Sequence, residues 1–141
     1  MGKLLCATRG GRASYRTQDA AIALAKEQGD ELLFLFAVTV DFLDWTARAV
    51  RPDVVEEEMT KLGEFLLEMA CERAKAQGVE AGTVLRHGPL RDELKAAVQE
   101  IEADTVILGR PDECGVYSDE GLEALAAEIE AETQAQALIL G

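Results

Sequence analysis

The segment VLRHGPLRDELKAAVQEIEADTVILGR, Val84–Arg110, decides the architecture. An apolar run, read as a strand over Val79 to Arg86, ends in the turn residues His87-Gly88-Pro89. Leu90, Leu94, Ala97, Val98 and Ile101 then recur at steps of three and four, the period of a helix with one buried face. Asp104 to Gly109 (DTVILG) returns to a continuous apolar run. A strand that needs no polar alternation is covered on both faces, as in a parallel sheet. Strand, helix and strand within one short segment therefore predict a right-handed crossover unit.

The same alternation extends in both directions. Upstream, Lys3 to Thr8 (KLLCAT) and Glu31 to Val38 (ELLFLFAV) read as strands. Between them lies a helix, after Ser14, with Ala20, Ala21 and Leu24 on one face and Gly29 at its end. Pro52 suits the first turn of a long helix whose Val55, Met59, Leu62, Leu66 and Met69 mark an inner face, closed by Gly78. Downstream, Ser118 is a candidate N-cap, with Asp119 and Glu120 in the favourable first turn. Leu122, Leu125, Ala126 and Ile129 give that helix its inner face, and a last strand runs from Gln134 to Leu140. The order β-α-β-α-β-α-β-α-β implies one α/β domain over residues 1–141. Its five-stranded parallel sheet carries helices on both faces. In such a sheet a ligand sits beyond the carboxyl ends of the strands, where the strand order reverses. The segments to inspect follow Thr8, Val38, Arg86 and Gly109.

Composition narrows the partners. Twenty-seven acids against fourteen Lys and Arg give a formal charge of −13, which repels nucleic acid and anionic membrane surfaces. The longest apolar stretch, Leu32 to Val40, is far short of the roughly 20 residues of a spanning helix. Cys6, Cys71 and Cys114 are scattered, with no Cys-x-x-Cys pair, so neither a disulfide framework nor a zinc site is expected. A reducing cytoplasm is the expected location. Cys6 and Cys71 fall on apolar faces, whereas Asp112 and Glu113 should dull the Cys114 thiol. Carboxylates of the last helix lack the compact oxygen loop that calcium requires.

Several strings resemble the universal stress protein family. KLLCATRGGRAS is similar to its opening strand and Ala-Thr-Asp-Gly-Ser turn. The Gly88-Pro89 turn, the helix after it, and the Ala-Asp before the strand ending at Gly109 resemble the pattern that follows. The resemblance implies an adenine nucleotide alpha hydrolase-like sheet of strand order 3-2-1-4-5. It also implies a stress-response role without catalysis, and a homodimer through the last strand at Ala137, Leu138, Ile139 and Leu140. Members that bind ATP carry an Asp in the first turn and a Gly-x2-Gly-x9-Gly-Ser/Thr loop after the fourth strand. Here Arg9 replaces the Asp, Asp112 the second Gly and Leu122 the third, with no hydroxyl residue following. Residues Pro111 to Gly141 hold eight acids and no base, a poor setting for a triphosphate. No cofactor is therefore expected, ATP included.

The alternative is a sensor for a nucleotide or another small anion at the ends of the first and fourth strands. Arg9, Gly10, Gly11 and Arg12 open a helix, and Val38, His87, Gly109 and Arg110 end strands at the same rim. The competing account of the arginines is neutralisation of nearby acids. His87 is the single histidine, and no Ser or Cys nucleophile can be set beside it, so no catalytic set is assembled. Phe42, Leu43 and Trp45 form an aromatic patch suited either to covering the cleft or to meeting a partner.

Overall fold

The computed structural model describes residues 2–8, 12–38, 52–109 and 119–140. Five strands, β1 (Lys3–Ala7), β2 (Glu31–Val38), β3 (Ala81–His87), β4 (Thr105–Gly109) and β5 (Gln136–Leu140), alternate with four helices. These are α1 (Arg12–Gln28), α2 (Pro52–Ala76), α3 (Leu90–Ile101) and α4 (Asp119–Glu132). The strands form one sheet of order β3-β2-β1-β4-β5, and each neighbouring pair is parallel. The expected strand count, order and direction are all present.

Alternation along the strands splits the core into two layers. Leu4, Cys6, Leu32, Phe34, Phe36 and Ile107 meet Ala21, Ile22 and Ala25 of α1 and Leu67, Ala70 and Ala74 of α2. Leu5, Leu35, Val106 and Leu108 meet Leu94 and Val98 of α3 and Leu122, Leu125 and Ile129 of α4. Gly63 lets α2 lie close on the sheet, since a Cβ there would stand 2.5 Å from the Phe36 ring.

Polar ties hold the helix layers. Arg73 of α2 donates twice to Asp19 of α1, at 2.6 and 2.8 Å, and this holds the Asp19 carboxyl below the ordinary carboxylate range. Lys95 of α3 bonds both Glu128 and Glu132 of α4.

Two strands begin two residues later than expected, each because a residue before it is otherwise engaged. β3 begins at Ala81 because the Val79 amide is already bonded to the Ala74 carbonyl. β5 begins at Gln136; Gln134 instead donates its side chain to the carbonyls of Val98, in the last turn of α3, and of Ala103, just past it. The inner faces of the first two helices are rotated by about one position. Ala21, Ile22 and Ala25 are buried in α1. In α2 the buried set is Gly63, Leu67, Ala70 and Ala74, whereas Leu62 and Met69, expected inside, are 51% and 38% exposed.

Helix endings share one device. Gly78, at φ 84°, sends its amide to Lys75 and the next amide, of Val79, to Ala74, so two orphan carbonyls are satisfied together. α3 ends alike, with the Ala103 amide on Val98, but the left-handed position is held by Glu102 at φ 56°. A side chain there costs roughly 1 kcal/mol against glycine. Glu102→Gly should therefore raise unfolding free energy by about 1 kcal/mol, and Gly78→Ala should lower it by about as much. Urea denaturation of the two variants checks the opposite signs.

Candidate functional site

The strand order reverses between β1 and β4, because α1 and α2 carry the chain outward on one face and α3 returns it on the other. The carboxyl ends of β1 and β4 therefore flank the crevice at which this architecture receives ligands. Thr8 follows β1, and its amide donates to the Leu35 carbonyl at 2.9 Å. Its hydroxyl accepts from Gln18 Nε2 of α1, also at 2.9 Å, and both side chains are buried. A polar pair at this depth persists because each group finds a partner. The pair joins α1 to the end of β1, beneath the crevice.

Gly109 ends β4 beside the same helix. A Cβ at Gly109 would stand 2.4 Å from Thr17 Oγ1 and 3.2 Å from Thr17 Cβ. The Thr17 hydroxyl also donates to the Leu140 carbonyl at 3.4 Å, which brings the end of β5 into the group. The lack of a side chain at 109 thus has a packing cause in this chain, before any ligand is considered.

The other expected site residues distribute as follows. Val38 is buried among the α2-side core, and its carbonyl accepts the Gly88 amide at 2.8 Å. His87 ends β3, two strands from β1, roughly 10 Å away by strand spacing alone. Its Nε2 lies 3.1 Å from Thr60 Oγ1 of α2. That hydroxyl spends its hydrogen on the Glu56 carbonyl at 2.8 Å, so His87 Nε2 is the donor. Arg86 turns to the opposite face and bonds Glu93 at 2.9 Å and Glu100 at 2.5 Å. For this arginine the neutralising account holds: two carboxylates take its charge.

Arg9, Gly10, Gly11 and Arg110 lie outside the described residues, as does the Arg12 side chain. So do Phe42, Leu43, Trp45, Asp112, Glu113, Cys114 and Ser118. Among the described residues no cluster of His, Cys and carboxylate side chains is placed to hold a metal ion, and no helix is long and apolar enough to cross a membrane. Cys6 is fully buried, and that burial pushes its thiol up to about 12.

Thr8, Thr17 and Gln18 were not legible as site residues in the sequence. The available signal was the phase of α1: Gln18, Ala21, Ile22 and Ala25 share one face, which puts a glutamine at a core position. The tight Gly109–Thr17 approach gives a direct test. Gly109→Ala should cost roughly 1–3 kcal/mol through overpacking. Thr17→Ala in the same chain should recover much of that loss, and a double-mutant cycle by chemical denaturation measures the coupling.

Comparisons with known proteins agree with this geometry. Residues 1–117 match the universal stress protein family. The universal stress protein YxiE of Bacillus subtilis is 32% identical over 114 residues, covering 76% of this chain and 77% of that protein. A universal stress family structure from Burkholderia pseudomallei superposes with a TM-score of 0.76 at 19% identity, over 99% of this chain and 95% of the other. A universal stress protein solved in complex with cAMP gives a TM-score of 0.68 at 24% identity, over 99% of this chain and 97% of the other. The sheet order seen here accompanies a sequence match over most of the chain: this protein belongs to the universal stress protein family.

Proposed function

We propose that this chain is a non-catalytic, cytoplasmic stress-response domain that acts as a homodimer and does not use ATP. The observation that carries the second half is Leu122. It stands where ATP-binding relatives are expected to place a glycine, and its side chain is 3% exposed, packed in the α3–α4 core layer. A glycine there would leave the backbone open to a phosphate, whereas a core leucine anchors α4 to the sheet. In sequence, Asp112 and Glu113 add negative charge to the same connection.

Dimerisation is supported by β5, which among the described residues pairs only with β4 and stands at the sheet edge. An edge strand presents outward amides and carbonyls that a second copy can pair. The Gln136 amide turns inward to Asp104, so those of Ala137 and Ile139 turn outward. Glu130 accepts the Ala137 amide at 3.0 Å, which leaves Ile139 as the place where pairing would begin.

A second reading keeps the crevice in use, as a site for a nucleotide monophosphate or another small anion held through Arg9, Arg12 and Arg110. It is favoured by the N-terminus of α1 at the crevice, which has no acidic residue in its first turn, and by the complex with cAMP in a related fold.

Thermal denaturation with ATP, AMP and phosphate, each with and without magnesium, separates the two. ATP should leave the Tm unchanged; a ligand at about a hundred times its Kd would add about 2.7 kcal/mol. A saturable rise with ATP would overturn the proposal, and a rise with AMP or phosphate alone would select the second reading. For the dimer, sedimentation should give two copies for the wild type and one for Ile139→Pro, which removes the outward donor. A monomeric wild type would remove the assembly claim.

A further inference from the structure

The large apolar side chains left exposed among the described residues gather on one surface. Val54, Leu62, Phe65 and Met69 are 42%, 51%, 58% and 38% exposed along α2, and Tyr15 of α1, 37% exposed, lies under Arg73 of α2. Their spacing, eight, three and four residues, keeps the α2 set on a single face over about 22 Å of helix. Phe65 is turned away from the buried side that Gly63, Leu67, Ala70 and Ala74 define. Among the described residues, the outer surfaces of α3 and α4 have no such group. They carry the Arg91 and Lys95 ion pairs with Glu128 and Glu132 instead.

The stripe does not serve the core of its own chain, because those side chains remain in water. Its charge is mainly of one sign, Lys61 and Lys75 being the exposed bases of α2. Glu57, Glu58, Glu64, Glu68 and Glu72 are all exposed on the same helix. Lys61 is shared at 3.7 and 4.0 Å between Glu57 and Glu58 in the open, and Arg73 is turned onto Asp19, 4.8 Å above the Tyr15 ring. Apolar anchors at helical spacing within an acidic border fit the apolar face of a helix whose own borders are basic. A second copy would bring glutamate rows together in a chain of charge −13, and an anionic bilayer would meet the same repulsion.

We infer that the outer face of α2, centred on Leu62, Phe65 and Met69, docks a cationic amphipathic helix of another protein. This surface is separate from both the β5 edge and the crevice, so it stands whether or not the proposed function does.

The test uses the full-length chain and two fluorescein-labelled helix-forming peptides, one with a leucine face flanked by lysines, the other with the same face flanked by glutamates. Fluorescence anisotropy should show saturable binding of the lysine peptide, weakened by salt, and none of the glutamate peptide. The Leu62→Ser/Phe65→Ser variant should bind roughly tenfold more weakly or worse, as expected for loss of an aromatic anchor. Glu64→Gln/Glu68→Gln should bind several-fold more weakly. All four positions are exposed, so unchanged circular dichroism melts should accompany these losses. Equal binding by the Leu62→Ser/Phe65→Ser variant would overturn the inference, because net charge alone would then explain the affinity. It would also be overturned if that variant, with β5 intact, lost a wild-type dimer in sedimentation. Capture of the wild type on zwitterionic vesicles, lost in the same variant, would assign the face to lipid and overturn it too.

Discussion

Everything in this molecule follows from a sheet whose central strands are apolar on both sides. β1 and β4 each bury three consecutive residues completely or nearly so, and such strands are stable only with a helix layer above and below. Coverage on both faces, with right-handed crossovers, forces the chain to leave β1 in one direction and return past it on the opposite face. The crevice between the ends of β1 and β4 is the geometric residue of that reversal. It exists before any ligand is specified, and its floor is set by how α1 seats against two strands at once. Gln18 on Thr8 ties the helix to β1; Thr17 against Gly109 limits how near β4 can come.

Most of the architecture was legible because apolar runs and helical periods alternate without interruption. Five strands, four helices and their order are direct consequences of that pattern. The errors came from phase. In α2, Leu62 and Met69 are large and apolar, so a reading by residue size places them inside, whereas the sheet accepts Gly63, Ala70 and Ala74 because it needs close approach. Strand boundaries failed where a backbone amide or side chain was already engaged, as with Val79 closing α2 and Gln134 capping carbonyls at the end of α3. Neither engagement leaves a trace in hydropathy. The point where the strand order reverses was legible, at the ends of the first and fourth strands, but the buried polar residues beneath it were not. Thr8, Thr17 and Gln18 are polar residues whose burial depends on partners distant in sequence.

Charge organises the two helix layers differently. Across α3 and α4, basic side chains are matched to acids on the neighbouring helix, and Arg86 extends the pattern to β3. Exposed pairs of this kind contribute little individually, and among the described residues that face exposes no large apolar side chain. Across α1 and α2, Arg73 is drawn inward to Asp19, and the remaining glutamates of α2 surround aromatic and aliphatic groups in water. One face is finished in matched charge; the other keeps large apolar side chains in water.

The caps that end α1, α2 and α3 have a further bearing on how such a chain can be rebuilt. Each helix passes to the next strand through only two to four residues, and several of those residues carry hydrogen bonds of the cap or of the strand edge. An extra residue there would shift the following strand by one and turn its core side chains to the opposite face. The segments that follow β2 and β4 in the chain, residues 39–51 and 110–118, are longer. At the rim where helices pass into strands, a lengthened link would therefore have to break either a cap or the register of a strand.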